Sequence, residues 1–165
     1  MTHSQSDLTL ESVQSGKELS EISRLALETG SEEDEINETI KRDKIFVAKR
    51  KGKVVGFLSL MMCNDEKTVE VSGLAVKAGE RRRGVAKLLI RHAEKYAIDR
   101  NARKLVVRTS NDNIPALTLY QKERFKMTGV KIGKMVEHHG AELTGWQGIP
   151  VRDEIVLEKQ VSQNG

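Results

Sequence analysis

Between Thr68 and Thr109 the chain spells a strand, a long helix and a second strand, and that order narrows the folds open to it. Thr68 to Val76 reads as a strand after the polar turn Asn64 to Lys67. From about Gly84 to Arg100, Val85, Leu88, Leu89, Ala93, Tyr96 and Ala97 form one apolar stripe, with Lys87, Arg91, Glu94 and Lys95 off it, which predicts an amphipathic helix. Lys104 to Thr109 (KLVVRT) is a strand again. A strand–helix–strand unit requires at least one parallel pair, here inside a mixed sheet.

The flanking segments extend this α/β reading. Leu8 to Val13 is a short first strand, and Leu19, Ile22, Leu25 and Ala26 recur at helical spacing up to a stop near Gly30. Ser31 precedes four carboxylates that suit a helix start, with Ile36 and Ile40 as its apolar side. Ile45 to Lys49 and Val54 to Met62 form a hairpin across Arg50-Lys51-Gly52-Lys53, and the second run is apolar enough to be central in its sheet. Ile114 to Lys122 is a helix with Pro115 in its first turn, and Phe125 to Gln160 supplies two strands around a connection containing Gly140, Gly145 and Gly148. The predicted order is β-α-α-β-β-β-α-β-α-β-β. One domain over residues 8–160 is expected, between frayed polar tails at 1–7 and 161–165.

Composition excludes several functions. The chain has 165 residues, 38% of them apolar, enough for a core that buries roughly 70% of the unfolded surface. Its 28 Lys and Arg against 24 Asp and Glu leave a net +4, which permits an anionic partner without demanding one. Only 4% of residues are aromatic, which argues against stacking platforms for nucleic acid, so no nucleic-acid partner is expected. The single cysteine, Cys63, forms no intramolecular disulfide, belongs to no CxxC pair, and is expected to pack as a small hydrophobe. MTHSQSD lacks the pattern of a signal peptide and no apolar run reaches membrane-spanning length, so a soluble, cytoplasmic protein without a membrane partner is expected.

The stretch from Glu70 to Ala86, EVSGLAVKAGERRRGVA, carries the most chemistry. A strand ends at Val76, Arg81, Arg82 and Arg83 follow in a loop, and a helix begins at Gly84. Backbone N–H groups at a helix start lack intrahelical partners and add to the helix dipole, so they attract phosphate oxygens. Gly84 admits a close backbone approach, Ala86 is small, and the arginines add positive charge. The spacing is neither a Walker loop nor GxGxxG, so neither a nucleoside triphosphate nor a dinucleotide is the natural ligand. A solvated arginine-rich turn is the plainer alternative for the triplet on its own.

Here the sequence resembles the GNAT superfamily of N-acetyltransferases. Arg81-Arg82-Arg83-Gly84-Val85-Ala86 matches that family's signature of Arg or Gln, two residues, Gly, one residue, then Gly or Ala, after the strand end Leu74-Ala75-Val76. Asn113, Ala116, Leu119-Tyr120, Lys122 and Phe125 match its second signature. The resemblance implies the acyl-CoA N-acyltransferase fold, a central mixed sheet of six to seven strands flanked by about four helices. It implies acetyl-CoA as co-substrate, with the pyrophosphate over Arg81, Arg82, Arg83, Gly84, Val85, Ala86 and Lys87, and the pantetheine arm along the exposed backbone of Leu74, Ala75 and Val76. That strand then splays from its parallel neighbour, and Gly73 suits either the bulge that starts the splay or ordinary close packing.

The same resemblance implies roles in direct transfer to a primary amine of a small molecule, a protein N-terminus or a lysine. Glu70 stands where some members place a catalytic glutamate, and an ammonium must lose a proton before it attacks; a solvent-facing strand carboxylate is the alternative. Tyr120 stands where the family places a tyrosine near the leaving sulfur, as thiolate stabiliser or general acid; a tyrosine packed on the sheet is the alternative. Full transfer from a phenol of pKa about 10 to a thiolate of pKa about 8.5 is uphill by about 2 kcal/mol, so a strengthening hydrogen bond is the cheaper mode. Backbone N–H of Val76 or Leu74 is the family-like donor to the acetyl oxygen. Asn113 is an N-cap by chemistry and a cofactor neighbour by resemblance, and Lys122 fits either the cofactor phosphates or solvent.

One departure is Arg124, where glycine usually closes the helix before Phe125; a left-handed non-glycine residue costs roughly 1 kcal/mol. The long connection before the last strand borders the acceptor site in this fold. Glu137, His138, His139, Glu142 and Trp146 therefore either shape amine recognition or form a polar hairpin surface, with Trp146 as lid or anchor. Adjacent histidines on a strand point to opposite faces, so no metal is expected. A catalytically silent CoA-binding module is the competing function, disfavoured by the presence of both Glu70 and Tyr120. A homodimer is compatible with a small enzyme of this kind.

Overall fold

The computed structural model describes residues 7–161. Its elements are β1 (Leu8–Ser12), α1 (Gly16–Glu28), α2 (Glu33–Arg42), β2 (Lys44–Arg50), β3 (Lys53–Met62), β4 (Thr68–Val76), α3 (Val85–Asp99), β5 (Lys104–Ser110), α4 (Ile114–Lys122), β6 (Lys126–Lys131), α5 (Lys134–His139), β7 (Leu143–Thr144), β8 (Pro150–Val151) and β9 (Glu154–Gln160). Seven strands form one sheet in the order β1-β2-β3-β4-β5-β9-β6, and β7 pairs with β8 in a small hairpin. Among the described strands only the β4–β5 pair is parallel, across α3, as the strand–helix–strand order requires.

The sheet is covered on both faces because its central strands are apolar on both. Leu58, Leu60, Val69, Val71, Leu105, Val107 and Leu157 face Val85, Leu89, Ala93 and Ala97 of α3 and Leu117 and Tyr120 of α4. On the opposite face Ile45, Val47, Phe57 and Ala75 meet Ile22, Leu25 and Ala26 of α1 and Ile36 of α2. Burying a side chain of this size contributes about 1.5–3 kcal/mol, which is why β3 and β4 sit at the centre and the helices above and below them.

Local signals explain the element ends. Ser15 caps α1 by accepting from the Glu18 N–H, and Asn113 caps α4 by accepting from the Ala116 N–H at 3.2 Å. α2 starts at Glu33 with Glu32 as its cap, so the carboxylates rather than Ser31 occupy the helix start. Arg124 does take the left-handed conformation (φ 74°), and the Phe125 N–H closes the turn on the Tyr120 carbonyl at 2.9 Å.

Two expectations change. Two positions assigned to the tails are tied down: the Asp7 carbonyl accepts the Lys51 N–H at 3.4 Å, and Val161 donates its N–H to the Arg103 carbonyl at 2.8 Å and packs against the core; the other tail positions, 1–6 and 162–165, lie outside the described residues. The connection from β6 to β9 is also not a plain glycine-rich link. It contains α5 and the β7–β8 hairpin, which brings the α-helices among the described residues to five, in line with the expected mixed sheet flanked by about four. Gly133 and Gly140, both left-handed, open and close the six residues KMVEHH as a helix whose two adjacent apolar residues set no apolar period. His138 and His139 therefore lie in a helical turn and not on neighbouring strand positions.

Candidate active site

β4 separates from β5 halfway along its length. The parallel ladder runs from Thr68 opposite Lys104 to Val71 opposite Val107 and stops, whereas β4 stays paired with β3 as far as Val76 opposite Gly56. The separation begins at a bulge: Ser59 faces Gly73 and Leu60 faces Val71, so Ser72 is the extra residue. Gly73 serves both readings of the sequence, beside the bulge and close-packed, because a Cβ there would stand 2.6 Å from Ser59 Oγ and 3.1 Å from a Phe57 ring carbon. Ser72 Oγ hydrogen-bonds to the buried Asp43 carboxylate and lies 2.9 Å from Ser59 Oγ, and Asp43 in turn accepts from Arg42 Nε at 2.6 Å. A polar knot thus holds the bulge against the end of α2. Beyond it, β4 has no ladder partner on β5, and its outer backbone edge, carried by Leu74 and Val76 on either side of Ala75, is open to an extended ligand.

The arginine loop lies past the end of that same strand. Gly84 caps α3 in the left-handed conformation (φ 83°), and a Cβ there would meet nothing within 4 Å, so the space over the helix start is open. The α3 ladder begins with the Leu88 N–H on the Gly84 carbonyl, leaving the N–H groups of Val85, Ala86 and Lys87 for an anion. Arg81, Arg82 and Arg83 are exposed, and Arg82 is itself left-handed (φ 63°). Arg83 is not wholly at a ligand's disposal. Glu80 binds it at 3.2 Å and binds the buried Arg50 at 3.0 Å, which anchors the loop to the β2–β3 hairpin.

The two candidate catalytic side chains approach the open strand from opposite faces. Tyr120 is 5% exposed, edge-on to Phe125 at 5.3 Å, in the core cluster against which Leu74 and Val76 pack. Burial alone holds its phenol well above the ordinary value of about 10. Complete proton transfer from it is thus more uphill than the sequence implied, and the hydrogen-bonding role is favoured. Glu70 alternates with Val69 and Val71 and so faces the α2 side. Its carboxylate accepts from Arg108 Nε at 2.8 Å, and Arg108 also approaches Glu154 at 3.9 Å. Glu70 and Arg108 line a cleft of about 250 Å³ with Glu35, Glu38 and Arg42 of α2.

The sequence reading missed several of these residues. Arg108, Asp43 and Ser72 shape the cleft and the bulge, yet no motif marks them. Asn111 and Asp112 could have been noticed as polar residues between a strand and a helix. The Asn111 carboxamide accepts the Arg152 and Asp153 N–H groups at 2.9 Å each and donates to the Pro150 carbonyl at 3.0 Å. Asp112 accepts the Trp146 N–H at 3.1 Å. They tie the long connection to the end of β5. Trp146 is 43% exposed, so it is not an anchor in the core, and Glu142 pairs with Arg152 at 3.1 Å. Lys122 is exposed on the last turn of α4, and Cys63 is half-buried with its thiol pushed up by burial. Among the described residues no helix is long and apolar enough to cross a membrane.

Comparison with known proteins agrees with this arrangement. In structure the chain is similar to an IAA acetyltransferase from Bacillus cereus ATCC 14579, with 29% identity and a TM-score of 0.78 over 93% of this chain and 99% of that one. It is also similar to a Bacillus subtilis acetyltransferase solved in complex with CoA, with 25% identity and a TM-score of 0.81 over 94% and 99% of the two chains. In sequence it is 33% identical over 88 residues to N-acetyltransferase 8 of Homo sapiens, a stretch covering 51% of this chain and 39% of that protein. Residues 16–124 match the Acetyltransferase (GNAT) family, and the chain belongs to that family.

Proposed function

We propose that the protein transfers the acetyl group of acetyl-CoA directly to a primary amine. The observation that carries this reading is the gap between β4 and β5 beyond Val71, continuous with an open helix start at Gly84. Exposed backbone amides suit the amide-bearing pantetheine arm, and the α3 start beside three arginines suits a pyrophosphate. The residues present therefore fit the co-substrate, which brings an activated acetyl thioester.

The cleft beside Glu70 suits the acceptor. Glu35, Glu38 and Glu70 attract an alkylammonium. Glu70, directly or through water, takes the proton that frees the amine lone pair. As the N–C bond forms and the C–S bond breaks, the N–H of Val76 or Leu74 steadies the carbonyl oxygen, Tyr120 donates a hydrogen bond to the departing sulfur, and the nitrogen's second proton passes to the thiolate or to water. Asn113, at the start of α4, stands near the cofactor, and Lys122, on its last turn, offers its charge to the cofactor phosphates.

The test is release of free CoA thiol from acetyl-CoA across peptides, polyamines, amino acids and aminoglycosides. Turnover with at least one amine is expected. Tight acetyl-CoA binding without turnover on any acceptor would instead identify a silent CoA-binding module.

A further inference from the structure

Two adjacent histidines meet two carboxylates from a distant helix. His138 and His139 close α5, while Glu32 caps α2 and Glu35 lies in its first turn. His138 Nε2 is 2.9 Å from Glu35 Oε1, and His139 Nδ1 is 3.3 Å from Glu32 Oε1. The imidazole rings stand edge to face with centroids 4.9 Å apart. Ligand atoms of Glu32, His138 and His139 all lie within 4.8 Å of one another.

We propose that Glu32, Glu35, His138 and His139 form a binding site for one divalent transition-metal ion of the zinc type, clasping the β6–β9 connection to the start of α2. Two imidazoles and two carboxylates, without thiolate, make a donor set suited to Zn²⁺, Co²⁺ or Ni²⁺ rather than to Mg²⁺ or Ca²⁺. Zinc bonds of about 2.0–2.2 Å require the donors to draw in from their present spread, and partly exposed side chains at the ends of two helices can do so by torsion. Charge favours the ion as well. Glu32, Glu33, Asp34 and Glu35 are consecutive carboxylates, and a divalent cation among them offsets their mutual repulsion. Glu35 also lines the acceptor cleft, so the ion would fix one wall of that cleft. No step of acetyl transfer is assigned to it.

The untagged full chain, stripped with chelator, is titrated with Zn²⁺ by calorimetry and with Co²⁺ by absorption at pH 7.5. One ion per chain is expected, with cobalt d–d bands and no thiolate charge-transfer band, which sets the site apart from Cys63. The double variant H138A/H139A, checked for folding by circular dichroism, is expected to lose affinity at least about 100-fold, since even supporting residues of metal sites are worth 10–100-fold. His3 is retained in that variant, so the loss maps to this pair. Zn²⁺ is expected to raise the Tm of the wild type and not of the variant. Absence of binding in the wild type, or equal affinity in wild type and variant, overturns the proposal. If the double variant does not fold, E32Q/E35Q replaces it, and wild-type affinity there overturns the proposal equally.

Discussion

The carboxylate of Glu70 accepts a hydrogen bond from Arg108 Nε at 2.8 Å across the two strands of the parallel pair. The candidate base is thus held toward β5, at the point where β4 leaves its neighbour. If Glu70 receives the amine proton, Glu70→Gln lowers kcat/KM by about 10²-fold and removes the acidic limb of the pH–rate profile, since the base must be ionised to act. Arg108→Gln keeps the limb while lowering kcat/KM less, because it removes a positioning contact and not the base. An unchanged profile in Glu70→Gln shows that the proton leaves by another route.

Gly73 sits against Ser59, with a Cβ position 2.6 Å from Ser59 Oγ. Gly73→Val overpacks the bulge and is expected to cost about 1–3 kcal/mol in urea unfolding. It should also weaken acetyl-CoA binding, because the bulge sets where the strands part. Ser59→Ala removes the nearest atom, so a double-mutant cycle of Gly73→Ala with Ser59→Ala should show coupling above about 0.5 kcal/mol. Strict additivity would mean that the two positions relax independently.

At Gly84 charge and conformation can be separated. The space above it is open and its φ is 83°, so Gly84→Ala is expected to cost about 1 kcal/mol of stability through the left-handed backbone, with acetyl-CoA binding largely kept. Gly84→Glu carries the same backbone cost and adds a carboxylate over the helix start. Calorimetry with acetyl-CoA should show at least a tenfold further loss, most of it electrostatic and therefore reduced by salt. Equal binding by the Ala and Glu variants would move the pyrophosphate elsewhere.

In the proposed reaction Tyr120 acts only through its hydroxyl, while its ring belongs to the core. Tyr120→Phe preserves the ring, so the melting midpoint should stay close to wild type while kcat falls about 10- to 100-fold and KM for acetyl-CoA changes little. A loss confined to KM would assign the hydroxyl to binding instead.

Much of this arrangement was legible in the sequence because it rests on local signals. Alternation and helical stripes give β4, α3 and β5, and Arg81 to Ala86 with Asn113 to Phe125 mark the proposed cofactor side in contiguous motifs. The proposed acceptor side is different. Arg108 reaches Glu70 across strands, Asp43 meets Ser72 from the far end of α2, and His138 meets Glu35 from over a hundred positions away. Each of these is a tertiary contact between ordinary polar residues, and no local period encodes it. The α5 helix is illegible for a related reason: its two apolar residues, Met135 and Val136, are adjacent and set no helical period, and its start is held by the Asp153 carboxylate, which accepts the Gly133 N–H from another segment.

His92 gives the fold an acid-sensitive point away from the site. Burial, with a smaller push from the Lys95 charge and a partial offset from Asp99, holds its imidazole below the ordinary value of about 6.5. Its ring stands edge-on to Phe46 at 4.3 Å, so the neutral form is the packed one. A folded-state value below the unfolded one means that the unfolded chain binds the proton more readily. The resulting stability is fully present above about pH 6.5 and is lost as pH falls through that value toward the lowered one. Urea midpoints measured from pH 7.5 to 5 should decline in the wild type and decline less steeply in His92→Gln, which cannot take up the proton. The two proteins differ only at position 92, so the difference between the two slopes isolates His92, and identical slopes would show that its burial does not govern stability in this range.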